Sequence, residues 1–311
     1  MSTTASTRAG TWLGLLGVFI FAMTLPMTRL ATGDTQAPLL SPWFVTWGRC
    51  VIAGLLSLVW LLASRAPWPQ AGQARWLGLS LLGNALGFPL LLAWALRSVD
   101  ASHAAVITAL LPLATAAAAA WLLHQRARLG FWLYALLGSA LVVVYSGLRA
   151  QAAGAGQPSL AAADLLLFGA VACAALGYVG GAQLTPALGA ERVISWVCVF
   201  TLPLAIPMAW WTWPEAPVPL TAWLALAYVG VFSMWAGFFA WFRGLAMGGA
   251  LRVSQLQLLQ PFMTMAGAAL LLGETIDALT LGLALAVILT VLAGRRHLGP
   301  LPAPPSSKES A

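Results

Sequence analysis

Apolar residues run almost unbroken through ten stretches of this chain, and polar or charged residues collect in the breaks between them. The stretches are Trp12 to Ala31, Pro42 to Ala63, Trp76 to Leu96, Ala104 to Leu123, Leu129 to Leu148, Leu165 to Thr185, Val193 to Trp213, Leu220 to Phe242, Val253 to Leu272 and Ile276 to Ala293. A helix needs about 20 such residues to cross the hydrocarbon of a bilayer, so each stretch is expected to be one membrane-crossing helix. The first is too long for a secretory signal and is not followed by a cleavage site and a soluble domain, so it is expected to be retained.

Two regions echo each other. Ala93-Trp94 through Leu111-Pro112 to Gly147 returns as Ala240-Trp241 through Gln260-Pro261 to Gly294, with two residues inserted before the second proline. The Gly/Ala/Pro/Gln-rich stretch 150–163 separates the copies. The expected organisation is a first five-helix unit over 1–149, a periplasmic linker over 150–163, a second five-helix unit over 164–295 and a disordered cytoplasmic tail over 296–311. Five crossings is an odd number, so the second copy enters the membrane upside down relative to the first, which is the plan of inverted-repeat carriers. Trp94 then closes span three at the outer interface and Trp241 closes span eight at the inner one.

Orientation follows from the cations. Of the 15 basic residues, Arg49 lies inside a span and Arg29, Arg97 and Arg149 fall on one side; the remaining eleven fall on the other. Both termini are therefore expected to be cytoplasmic.

Composition agrees with a membrane solvent. The chain is 61% hydrophobic and 7% charged, with a mean hydropathy of +0.88, whereas about a quarter of an average soluble protein is charged. The net charge of +7 would suit nucleic acid, but the basic residues are scattered singly and form no stripe. Cys50, Cys173 and Cys198 lie in apolar runs without metal or redox spacing and read as small packing residues. No metal and no cofactor is expected.

Several short motifs carry a family resemblance: Ala95-Leu96 before a short turn, a fourth span whose outer half ends at Pro112, then Gly244-Leu245-Ala246, Pro261, and Gly273-Glu274 with Gly282 eight residues on. The aromatic-rich segment Phe44 to Arg49 in the second span belongs with them. In this order, over nearly the whole chain, they resemble the EamA-like branch of the drug/metabolite transporter superfamily. The resemblance implies a ten-helix protein of the bacterial inner membrane, with spans one to four and six to nine around a central cavity and five and ten outside. It also implies export or import of amino acids or other small metabolites. The first copy has His124-Gln125 where the second has Gly273-Glu274, so the glutamate is not expected to be essential for transport.

Arg49 lies about seven residues into the second span, roughly 10 Å deep at 1.5 Å per residue. A midplane arginine costs about 2.5–3.5 kcal/mol on insertion scales, so it should face the bundle interior with a partner. Two readings stand: its guanidinium draws in a substrate carboxylate, or it is bonded to backbone carbonyls or snorkels to headgroups. Gln255, Gln257 and Gln260 cluster before Pro261, whose ring frees a carbonyl one turn earlier. The cluster fits either a broken-helix carrier site or interhelical hydrogen bonding. Pro112 and Pro261 are the candidate hinges. Asn84, Tyr178 and Gln183 are further intramembrane hydrogen-bonders, His103 can carry a proton, and Trp235 and Trp12 can supply aromatic walls; helix packing is the alternative for each.

No carboxylate occupies the middle of a span, and the three histidines stand isolated in sequence. Carriers of organic cations rely on a buried acid, so a neutral, zwitterionic or anionic substrate is expected. Enzyme catalysis would need a constellation the sequence lacks, a channel would need a filter segment, and a non-transporting scaffold or receptor would pack the central volume with Leu and Ala. Gly138 with Val142 and Gly282 with Ala286 are small-residue pairs that suit a homodimer through spans five and ten.

Overall fold

The computed structural model describes residues 2–123, 129–152, 162–248 and 254–296. Among them the secondary structure is helical, apart from one isolated bridge between Gly33 and Pro38. The helical segments line up end to end as ten rods. These are α1 (Ser2–Ala22 and Thr24–Thr32), α2 (Pro42–Ala63), α3 (Ala71–Gln73, Ala74–Ser80, Leu81–Gly87 and Phe88–Ala95), α4 (Ala101–Thr108 and Leu111–Leu122) and α5 (Leu129–Ala152). After them come α6 (Ala162–Leu188), α7 (Ala190–Trp211), α8 (Leu220–Tyr228, Val229–Ala236 and Gly237–Gly248), α9 (Ser254–Leu259 and Gln260–Leu272) and α10 (Ala278–Arg295). The tail beyond residue 296, most of the linker and the His124-Gln125 pair lie outside the described residues.

Seven of the rods contain helices long and apolar enough to cross a membrane: Arg8–Thr32, Pro42–Ala63, Ala71–Ala95, Ala101–Leu122, Ala162–Leu188, Ala190–Trp211 and Leu220–Trp241. The apolar stretches of the other three, Trp132–Tyr145, Leu256–Leu272 and Ala278–Gly294, are shorter. The sequence expectation of a last span starting at Ile276 is corrected by local chemistry. Gly273 takes φ +70 and ends α9, and Asp277 caps α10 by accepting from the Thr280 amide at 2.7 Å. Residues 273–277 are thus a connector. The exterior carries large apolar side chains, among them Leu270 at 86%, Trp210 at 83% and Leu62 at 69% exposure. Water would oppose such a surface and lipid does not, so the protein is membrane-embedded and crosses several times.

Helix pairs are set by small residues. Antiparallel α1 and α8 touch where a Cβ on Gly244 would come within 2.5 Å of the Gly14 amide. Antiparallel α3 and α6 touch where a Cβ on Gly83 would stand 2.4 Å from the Cys173 carbonyl. The helix α2 runs against α7, with Gly54 under Leu202, and α5 against α10, with Gly138 under Thr290. Gly138 and Val142 are buried, Gly138 against Thr290 of the same chain, and Gly282 is exposed. Beyond these pairs, α4 packs on α6 and α9 packs on α1.

Two departures from regular helix are shared by α3 and α8. Leu81–Gly87 and Val229–Ala236 are wound as π-helix, which adds a residue to the turn and leaves a carbonyl without its helical donor. Each is met by a thiol from the preceding helix of the same half: Cys50 Sγ lies 3.2 Å from the Ala85 carbonyl, and Cys198 Sγ 4.0 Å from that of Met234. The rods α4 and α9 also share a break, each interrupted just before a proline, Pro112 or Pro261, which sits in the first turn of the resumed helix.

Candidate functional site

Arg49 projects from α2 into the centre of the bundle and is 3% exposed. Its Nη2 donates to the Ser233 hydroxyl at 3.3 Å, and Ser233 exchanges a further hydrogen bond of 2.8 Å with Thr24. Ser233 stands in the π-helical turn of α8 and Thr24 just past the break in α1. Arg49 Nε and Nη1 are buried without a hydrogen-bond partner. A guanidinium under-bonded at this depth is costly unless something arrives to complete it.

Space for that lies beside it. A cavity of about 40 Å³ is lined by Arg49, Ser233, Thr24, Asn84, Tyr178 and Gln260, with Phe21, Phe88 and Phe238 among its walls. It adjoins a second of about 210 Å³, which shares Phe21, Asn84, Tyr178 and Phe238 and adds Ser80, Thr115, Trp241 and Gln257. A third, of about 260 Å³, runs between α4 and α9 along Thr108, Pro112, Thr115, Gln257, Gln260, Pro261 and Thr264. Tyr178 lines all three.

Arg49, Asn84, Tyr178, Gln257, Gln260, Pro112 and Pro261 thus line one set of adjoining cavities. Other candidates land elsewhere. Gln183 is on the exposed side of α6, and Trp12 is 70% exposed on the outer surface of α1. Trp235 packs on Phe239 with ring centroids 4.9 Å apart, outside the lining. The Gln255 side chain lies outside the described residues. His103 is away from the cavities and is not isolated: its Nε2 lies 2.6 Å from Asp164 Oδ1, with both side chains buried. Asp164 stands at the start of α6 and is only 1% exposed, because α4 packs over it. Thr24, Ser233, Phe21 and Phe238 are lining residues that the sequence reading missed. A serine or threonine in an apolar span is too common to stand out, and only the long-range pairing with Arg49 gives Ser233 a role.

One end of the bundle is tied together by polar contacts. The Glu274 carboxylate accepts from the Ala101 amide at 2.8 Å, the Ser102 amide at 2.9 Å and the Ser102 hydroxyl at 2.7 Å, capping the start of α4. The Arg29 guanidinium donates to the carbonyls of Leu96 and Val99 and lies 3.9 Å from Asp34. A hydrogen bond from the Ala37 amide holds the Asp34 carboxyl below its usual range, so it stays charged toward Arg29. The largest apolar cluster, including Leu96, Ile107, Leu110, Leu167 and Met265, fills the same end. At the opposite end Arg243 pairs with Glu191 at the start of α7, and the two larger cavities reach toward that end along Val193, Trp241 and Ala119.

The profile of the EamA-like transporter family matches this chain twice, over residues 8–147 and 161–293. The chain belongs to that family. Among curated relatives, the "Uncharacterized transporter YdeK" of Bacillus subtilis is 39% identical over 288 residues, covering 92% of this chain and 96% of that one. The "Uncharacterized transporter sll0355" of Synechocystis sp. is 26% identical, covering 95% of this chain and 92% of that one. A solved structure titled "Crystal structure of protein" superposes with a TM-score of 0.61 at 20% identity, covering 93% of this chain and 99% of the other; the likeness concerns the fold. The EamA-like protein described above is therefore a transporter rather than an enzyme.

Proposed function

We propose that this EamA-like transporter is a secondary carrier that exports a small polar metabolite, neutral, zwitterionic or anionic, across the bacterial cytoplasmic membrane. It works by alternating access between two inverted five-helix halves, 1–149 and 164–295, joined by a periplasmic linker, with ten crossing helices and both termini in the cytoplasm. The observation that carries the reading is the under-bonded Arg49 beside a polar-lined volume. A scaffold would gain more stability by filling that space with apolar side chains.

The inverted plan is supported by an exchange property of the packing. Swapping the halves turns the α1–α8 contact into α6–α3 and the α4–α6 contact into α9–α1, while α2–α7 and α5–α10 map onto themselves. The π-helical turns of α3 and α8 and the proline breaks of α4 and α9 exchange as well. A carrier of this kind opens to one side or the other by trading equivalent conformations between its halves. The end where Arg29 ties the Leu96 and Val99 carbonyls and lies beside Asp34 is then the periplasmic gate, closed in this state.

Counterflow into proteoliposomes loaded with a metabolite panel tests the proposal. Saturable exchange of neutral, zwitterionic or anionic compounds is expected, with quaternary ammonium dyes excluded. Strong dye uptake with no exchange of metabolites would overturn it.

A further inference from the structure

We infer that the cargo is a monoanion: a small organic acid with one carboxylate and no ammonium group. The inference rests on the carrier reading above and narrows it by a charge balance at the same site. Among the described residues lining the three adjoining cavities, Arg49 is the one ionised side chain; no Asp, Glu, Lys or His joins it. The titratable neighbours that act on Arg49 are the thiols of Cys50 and Cys198, and both are turned to the π-helical carbonyls of Ala85 and Met234. Ser233 is neutral and takes a single bond from Nη2. Among the described residues the volume therefore holds one positive charge, with Nε and Nη1 unsatisfied.

In a site this deep, an uncompensated charge is the dominant cost and a matching counter-charge removes it. One carboxylate brings the total to zero and supplies the acceptors that Arg49 lacks. A zwitterion brings the same carboxylate but also an ammonium, which would find only hydroxyl and amide oxygens such as those of Tyr178 and Gln257. A dianion leaves one negative charge unmet. The shape of the volume agrees. The cavity of about 40 Å³ at Arg49 suits a carboxylate head, and the adjoining one of about 210 Å³, walled by Phe21, Phe238 and Trp241, suits an apolar body. The family resemblance alone pointed to amino acids among other metabolites; the charge of the site turns away from them.

The test uses the purified full chain and trios of compounds that share a carbon skeleton: a monocarboxylate, the corresponding α-amino acid and the corresponding dicarboxylate, on straight four-carbon, branched six-carbon and phenylpropanoid skeletons. Binding is read by thermal stabilisation and movement by counterflow. In at least one trio the monocarboxylate should bind about tenfold or more tighter than both partners, and R49Q should collapse that ratio below about threefold while the unliganded melting temperature stays within a few degrees. If an amino acid or a dicarboxylate binds tightest in every trio that binds, or if none of the nine compounds binds, the monoanion assignment falls. If monocarboxylates bind with the expected ratio yet never cross the membrane, the carrier reading falls and the charge assignment stands.

Discussion

At the scale of single residues, two side chains carry most of the account. Arg49 is held by one hydrogen bond to Ser233, lines the cavity beside it and keeps two nitrogens buried without a partner. Arg49→Gln is expected to lower counterflow by at least about tenfold, the order of one lost charge-assisted contact of 1.4 kcal/mol or more, with the protein still folding. Ser233→Ala should cost less, since Arg49 keeps its charge. A R49Q carrier with unchanged exchange would remove Arg49 from the site. Glu274 acts on the fold instead. It satisfies the Ala101 and Ser102 amides at the head of α4, so Glu274→Ala is expected to cost about 0.5–2 kcal/mol, read as a lower melting temperature in detergent. A drop in exchange with no change in melting temperature would give Glu274 a transport role in place of the cap. Arg49 could be singled out in the sequence because charge inside an apolar run is conspicuous. The Glu274 cap and the His103–Asp164 pair could not, since each joins residues far apart in the chain and nothing in local periodicity encodes the partner.

The elements divide by how their small residues are used. Gly83 lets α3 lie against α6, and a side chain there meets the Cys173 carbonyl at 2.4 Å. Gly282 on α10 has nothing within 4 Å of a Cβ. Gly83→Val should therefore destabilise by about 1–3 kcal/mol through overpacking, and Gly282→Ala should stabilise by about 0.5–1 kcal/mol through chain entropy; melting curves of the two variants are expected to shift in opposite directions. Apolar run length located the helices well, because lipid demands long runs and every backbone bond inside them. It could not reveal the π-helical turns of α3 and α8. Val, Leu, Gly and Ala fit regular helix and π-helix equally, and the wide turn is stabilised by tertiary partners such as the Cys50 thiol. The proline breaks of α4 and α9 were legible for the opposite reason, since proline alters the backbone by itself.

For the whole molecule, the echo between the two halves was readable from Ala93-Trp94 and Ala240-Trp241 onward, and the packing answers it with contacts that exchange in pairs. The inverted plan requires that both termini share one side. Single cysteines placed at Arg8 and at Lys308, in a background lacking Cys50, Cys173 and Cys198, should both react with an impermeant reagent from the cytoplasmic side of oriented vesicles and neither from the other. What remained hidden at this scale was the tied end, which depends on Arg29, Glu274 and three connectors meeting after the bundle has formed. The most direct measurement of the central claim, a polar volume at Arg49 that faces each side in turn, is the accessibility of a cysteine replacing Thr24 in the same background. It is expected to be modified by an impermeant thiol reagent from either side of the membrane, at rates that a transported substrate changes in opposite directions. Reaction from one side alone, unaffected by any substrate, would contradict it.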